Sequence, residues 1–165
     1  MEFSFLPATT NDVMELAVLH TKVAERLTDL HGRGPWSSRT SIKGVLYAMR
    51  TSKVFAARQG SEIVATLRLA TKKPWAIDTS YFSSSQKPLY LLAMAVTPAK
   101  QGHGIGSRCL KEAKKIAKLW QADSIRLDTY NANAGAGPFY AKSGYTEVGR
   151  TTYRNAPLIY YELTL

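Results

Sequence analysis

A chain of 165 residues, 45% hydrophobic and 10% aromatic, suits one globular domain with a sizeable core, so residues 1–165 read as a single domain. No apolar run approaches the ~20 residues that span a bilayer, and the start, Met1-Glu2-Phe3-Ser4-Phe5-Leu6-Pro7, lacks a signal-like basic flank and apolar core, which points to a cytoplasmic protein with no membrane partner. The net charge of +10 would suit a polyanionic partner, but the basic residues are dispersed: Lys111, Lys114, Lys115 and Lys118 fall mostly on the polar face of one helix, which argues against a nucleic-acid footprint.

In chain order, residues 3–7 read as a first strand. Thr10 or Asn11 is placed to cap the helix that follows, with Asp12 near its positive end. Val13, Leu16, Ala17, His20, Val23, Ala24 and Leu27 then recur at helical spacing. Residues 30–38, with Gly32, Gly34 and Pro35, read as a loop, and Ile42, Val45, Leu46 and Met49 mark a second helix. Residues 54–58 and 63–70 read as strands joined by a turn at Gly60-Ser61. Residues 71–88 form the longest stretch without clear periodicity, and such stretches often carry function.

Residues 89–96 are nearly all apolar, as in a strand covered on both faces. A helix over 107–121 follows, with Cys109, Leu110, Ala113, Ile116, Ala117 and Trp120 as its inner stripe. Residues 125–130 read as another strand. Asn133 opens a short helical segment that holds Pro138 and ends near Ser143, with Gly144 suited to its C-terminal cap. Residues 145–152 and 158–165 close the chain as strands. The alternation of elements around a central strand–loop–helix unit indicates an α/β or α+β layered domain.

The most informative stretch is Gln101-Gly102-His103-Gly104-Ile105-Gly106, between the apolar strand and the long helix. Glycines let a backbone approach a ligand closely and allow φ > 0. Free N–H groups at the helix start, together with the helix dipole, favour an anion there. The spacing is neither a Walker loop nor a dinucleotide fingerprint. A loop that merely turns a strand into a helix is the competing reading.

The run Leu92-Ala93-Met94-Ala95-Val96-Thr97-Pro98 followed by 101–106 resembles the acyl-CoA pyrophosphate motif of the GNAT superfamily of N-acetyltransferases, and Asn133, Ala136 and Phe139-Tyr140-Ala141-Lys142-Ser143-Gly144-Tyr145 resemble that family's next segment. The strong resemblance covers residues 89–149. It implies a mixed, splayed central sheet with helices on both faces, acetyl-CoA as cofactor, and transfer of its acetyl group to an amine by direct attack in a ternary complex. It also implies that Gln101, Gly102, His103, Gly104, Ile105 and Gly106 hold the pyrophosphate, and that the Met94, Ala95 and Val96 segment and Asn133 hold the pantetheine arm. Within that set, His103 falls at a variable position and is more simply solvent-exposed, and Asn133 could equally be a helix cap.

Acyl transfer from a thioester to an amine needs a neutral amine, a stabilised carbonyl oxygen and a proton for the departing thiolate. By the resemblance, Tyr140 is the acid, with a packed core tyrosine as the competing role. Many relatives carry Glu on the strand over 89–96, and this chain has no carboxylate there. By the resemblance, Asp128 takes the position of an acidic residue that serves as base in some relatives and is the candidate base, with a bridging water to compensate for its short side chain; its competing use is an ion pair with Arg126 on the same strand face. Cys109, on the inner helical stripe, reads as a packing thiol rather than a nucleophile, and no zinc-ligand spacing is present. The acceptor is a small-molecule primary amine or a protein N-terminus or lysine, contacted by His31, Trp36, Trp75, Asp78, Tyr81 and Phe82. A non-catalytic acyl-CoA-binding sensor or interaction module on the same fold is the alternative, and a homodimer is left open.

Overall fold

The computed structural model of the protein describes residues 2–165. Its elements are β1 (Phe3–Pro7), α1 (Val13–His31), α2 (Ile42–Thr51), β2 (Lys53–Gln59), β3 (Glu62–Ala70), β4 (Pro88–Val96), α3 (Ile105–Leu119), β5 (Ser124–Tyr130), α4 (Gly137–Lys142), β6 (Thr146–Tyr153) and β7 (Ala156–Thr164). The strands hydrogen-bond in the order β1-β2-β3-β4-β5-β7-β6, a mixed seven-stranded sheet. Contacts cluster into two compact units, Met1–Leu69 with Ala93–Glu112 and Ala70–Leu92 with Ala113–Leu165. No helix among the described residues is long and apolar enough to cross a membrane.

In the first unit, β1 and β2 pair antiparallel, with Phe5 opposite Ala57, and β2 pairs antiparallel with β3. Gly60 supplies the left-handed turn between β2 and β3, with φ 61°. Val13, Leu16 and Leu19 of α1 pack on Val45 of α2, Val54 and Ala56 of β2, Ile63 of β3 and Ala95 of β4. The first helix does not start at Thr10 or Asn11. The Thr9 N–H donates to the Asp12 carboxylate over 2.8 Å, closing a 3-10 turn over Thr10–Asp12 before α1 begins at Val13. The same carboxylate is ion-paired with Arg58 of β2, which ties that turn to the sheet. α1 runs on through His31 and stops at Gly32, whose φ of 79° breaks the helical path, so His31 is the last helical residue and not part of a loop.

In the second unit, β5 and β7 pair antiparallel from Ser124↔Thr164 to Tyr130↔Leu158, and β6 returns against β7 through a turn in which Arg154 and Asn155 both have positive φ. The parallel ladder of β4 and β5 is short: Pro88↔Ser124, Leu89↔Ile125 and Tyr90↔Arg126. The segment between β3 and β4 is anchored rather than loose. Tyr160 accepts from the Asp78 N–H over 3.1 Å and donates to the Ala76 carbonyl, and the Ser83 hydroxyl donates to Glu162 over 2.6 Å. The Asp123 carboxylate accepts from the N–H groups of Gln86 and Lys87. Ile77, Phe82, Tyr90 and Tyr160 form the core beneath it. Pro138 lies in the first turn of α4, where its missing N–H breaks no helical bond, so the helix is short but not kinked. Asn133 lies in the turn that precedes α4 and does not open the helix.

Candidate active site

The first unit carries the strand–glycine loop–helix. Ala93 of β4 sits at φ 52°, a left-handed conformation that a residue with a Cβ rarely adopts, within the strand and immediately before Met94. Such strained positions concentrate at functional sites. After β4, Thr97 returns to the sheet by donating to the Val64 carbonyl over 2.8 Å. The Gln101 side-chain amide donates to the Val96 carbonyl over 2.9 Å, pinning the loop to the strand end.

Gly102 and Gly104 have φ of 77° and 82°, and neither has an atom within 4 Å of the point a Cβ would occupy. Both properties fit a pyrophosphate: the backbone is turned outward and nothing blocks approach. α3 starts one residue after Gly104, so the N–H groups of its first turn have no intrahelical acceptor. Its positive end suits an anion. Gln101, Gly102, His103 and Gly104 are exposed, Gly106 is half-buried and Ile105 is buried as the first core residue of α3. Ala95 is buried, while Met94 and Val96 are half-buried.

Cys109 is fully buried, and desolvation pushes its thiol up to about 12. It stays a thiol at neutral pH and packs as the sequence suggests. Lys111, Lys114, Lys115 and Lys118 are exposed, as expected for the polar face of α3.

The second unit carries the titratable groups. Asp128 is half-buried on β5, and desolvation raises its carboxyl above the usual 3.8. No hydrogen bond or ion pair contributes to that shift. Arg126 does not pair with it: the guanidinium donates to the Ser83 carbonyl over 2.8 Å and to the Tyr90 hydroxyl over 3.2 Å, and lies over the Phe82 ring. The structure thus removes the competing ion-pair role of Asp128. Three phenols lie within electrostatic reach of the carboxylate instead. Tyr160 is its Cα partner across the β5–β7 ladder. Its negative charge also reaches Tyr130, Tyr140 and Tyr160 and helps to raise each of them after burial.

Tyr140 projects from α4 into a cluster with Phe139, Tyr145 and Tyr161, and it is buried. Burial first, then Asp128, hold its pKa far above that of a free phenol. The Tyr145 hydroxyl beside it is buried without a hydrogen-bond partner. The turn leading to α4 is fixed by Thr129, whose hydroxyl accepts from the Ala136 N–H over 3.0 Å. Asn133 is exposed in that turn.

The sequence-predicted acceptor residues divide. Trp75 and Asp78 line a cavity of about 380 Å³ with Lys73, Thr151, Tyr153 and Tyr160. Trp75 is 84% exposed. Tyr81 lies edge-on to Tyr160 and against the backbone of Gly149, where a Cβ would collide with the ring. Phe82 is a correction: it is buried in the core with Ile77, Tyr90 and Tyr160, so its ring packs rather than meeting an acceptor. His31 is exposed at the end of α1. Trp36 folds back on its own loop, its indole N–H donating to the Gly32 carbonyl over 2.9 Å.

Sequence reasoning gave no role to Arg68 and His20, which share a second cavity in the first unit. The signal available was a single cation inside the otherwise apolar run of β3.

Known proteins share this fold. PaiA N-acetyltransferase from Thermoplasma acidophilum, solved in complex with coenzyme A, is 16% identical and superposes with a TM-score of 0.74 over 100% of both chains. The Salmonella typhimurium protein yncA, solved with its cofactor acetyl-CoA, is 14% identical, with a TM-score of 0.72 over 99% of this chain and 94% of that one. Ribosomal-protein-alanine N-acetyltransferase from Brucella melitensis is 16% identical, with a TM-score of 0.73 over 98% and 99%. At these identities the likeness shows the fold. No curated protein sequence matches the chain at a significant level. The family model described as the acetyltransferase (GNAT) family matches residues 22–145, most of the chain and both the glycine loop and the Tyr140 segment. The chain belongs to the acetyltransferase (GNAT) family, the N-acetyltransferases that take their acetyl group from acetyl-CoA.

Proposed function

We propose that the protein transfers the acetyl group of acetyl-CoA to a primary amine by direct attack, with Asp128 as base and Tyr140 as acid. The observation that carries this reading is the half-buried Asp128 carboxylate within electrostatic reach of the buried Tyr140 phenol, within one unit of a chain of this family.

When bound, acetyl-CoA supplies an acetyl carbon already activated as a thioester, so no protein nucleophile is needed. Backbone groups of residues 94–96 and 101–106 would hold its arm and pyrophosphate. Asp128 takes the proton of the attacking amine, directly or through a water. Its raised pKa makes it a better base than an exposed carboxylate, since catalytic efficiency improves as the pKa approaches the working pH.

As the C–N bond forms and the C–S bond breaks, Tyr140 donates its proton to the departing sulfur. A phenol with so high a pKa is a poor acid at rest. Protonation of Asp128 removes the neighbouring negative charge that helped hold the Tyr140 proton. The two transfers therefore assist one another: the base, once used, makes the acid stronger.

Trp75 and Asp78 line a cavity in which an aromatic face and an anionic group suit a protonated amine as it arrives. The acceptor is a small-molecule primary amine in preference to a protein N-terminus or lysine. The test is an amine panel with acetyl-CoA, reading release of free thiol and formation of the N-acetyl product. Turnover with any amine class supports the reading. Tight binding of acetyl-CoA with no turnover across the panel would favour a non-catalytic acyl-CoA sensor.

A further inference from the structure

The first unit holds a cavity of about 180 Å³ whose wall includes His20 of α1, Gly44 and Ala48 of α2, Arg68 of β3 and Ala93 of β4. Arg68 is the unusual member. It is half-buried, and desolvation lowers its pKa. Its Nη1 donates to the Ser52 hydroxyl over 3.3 Å, and that hydroxyl in turn donates to the Ala48 carbonyl over 2.6 Å, which orients the guanidinium. Its Nε is buried with no acceptor.

No carboxylate pairs with Arg68 among the described residues. The other charges and dipoles that reach it are those of His20 and Tyr47. Even a half-buried cation without an anion is costly to fold, because the guanidinium loses part of its water and gains no counter-charge. An arginine that lines a cavity, has no carboxylate partner and leaves its Nε unsatisfied suits an oxyanion.

The charge count chooses which oxyanion. Burial, and then the charge of Arg68, lower the pKa of His20 and keep it neutral. The pocket therefore holds one positive charge, and a monoanion neutralises it where a phosphate dianion would not. The position chooses whose carboxylate it is. Ala93, the strained residue just before Met94, forms part of the same wall, so whatever fills the cavity lies beside the strand proposed to hold the acetyl-bearing arm.

We propose that this cavity is a carboxylate subsite and that the acceptor is an amino-carboxylate, a free amino acid or an amino acid of similar size, with its carboxylate on Arg68. The assignment deepens the acetyltransferase reading and rests on it for the identity of the ligand.

The experiment compares matched acceptors: alanine, methionine, β-alanine and 4-aminobutyrate, each against the amine that lacks only the carboxyl group. With the wild-type protein, kcat/KM for the acids is expected to exceed that of the amines by about 10- to 100-fold, the weight of a charged hydrogen-bonded contact. Arg68→Gln should bring that ratio close to one, and Arg68→Lys, which keeps the charge and loses the fork, should leave an intermediate ratio. Parity between acids and amines in the wild type, or an unchanged ratio in Arg68→Gln, overturns the proposal.

If no acceptor releases thiol, the acetyltransferase reading fails separately. The subsite is then judged by melting temperature with sodium N-acetylglycine, sodium phosphate or sodium chloride at equal ionic strength. A shift by N-acetylglycine alone that disappears in Arg68→Gln supports it. An equal or larger shift by phosphate, or no shift beyond chloride, overturns it. If Arg68→Gln does not fold, the wild-type acceptor ratio and Arg68→Lys decide.

Discussion

Asp128 and Tyr140 are electrostatically joined: the carboxylate on β5 helps to hold the proton on the buried phenol of α4, second only to burial itself. Tyr140→Phe keeps the ring and its contacts with Tyr145 and Tyr161 and removes only the hydroxyl. If that hydroxyl protonates the departing thiolate, kcat should fall by about 10²–10⁴, or roughly 3–5 kcal/mol of barrier. The acetyl-CoA Kd should stay close to the wild-type value. A folded Tyr140→Phe protein with normal kcat would reduce Tyr140 to a packing residue.

Asp128→Asn separates stability from activity. Burial raises the Asp128 pKa above 3.8, so the folded chain binds this proton more tightly than the unfolded chain does. Between the unfolded and folded values, stability falls as pH rises, and above the folded value the ionised carboxylate burdens the fold. The asparagine variant should therefore melt higher than the wild type at pH 7, with the difference closing below pH 3.8. Its turnover at pH 7 should drop and be partly restored at high pH, where the amine is already neutral. Thermal melts and pH–rate profiles on the same preparations check both halves. A variant with an unchanged pH profile would leave Asp128 without a catalytic role.

Acetyl-CoA at about 100 times its Kd should stabilise the protein by roughly 2.7 kcal/mol. In Gly104→Val the open space around the Cβ position removes any direct clash, so the penalty lies in the backbone: a β-branched residue must leave φ of 82° or strain to stay there. The stabilisation by acetyl-CoA should then be largely lost, as read by melting temperature across a ligand titration. Equal stabilisation of variant and wild type would place the cofactor elsewhere.

Trp75→Ala addresses acceptor contact. The side chain is 84% exposed, so stability should change by no more than about 0.5 kcal/mol. If the indole covers the acceptor, its KM should rise roughly tenfold, the equivalent of about 1.4 kcal/mol. The acetyl-CoA Kd should hold steady. Calorimetry for the cofactor and initial rates for the acceptor distinguish this from a general loss of structure.

The parts that were legible in the sequence are those written in local chemistry. β1 was placed over the residues it occupies, because the cluster of apolar and aromatic residues ends at a proline. Gly102 and Gly104 announced a left-handed loop, and both adopt one. What failed depended on distant partners. Phe82 looked like a loop aromatic, but Tyr160 and Tyr90, far away in sequence, make it core. Arg126, two residues from Asp128 on one strand, offered it an ion pair as a competing use, but Ser83 and Tyr90 take the arginine. His31 looked like a loop residue because Gly32 follows it, yet a helix can run up to the glycine that ends it. Arg68 stood in plain view in an apolar strand, but only the fold reveals that no acid faces it.

The burial of Cys109 makes the protein convenient to measure. It is the sole cysteine of the chain, its sulfur is shielded from solvent, and its thiol is held at about 12. A chromogenic thiol reagent added to the native protein should therefore report coenzyme A released by turnover against a silent background. In denaturant the same reagent should count one sulfhydryl per chain, so a single dye serves as clock for the reaction and as gauge of the fraction unfolded.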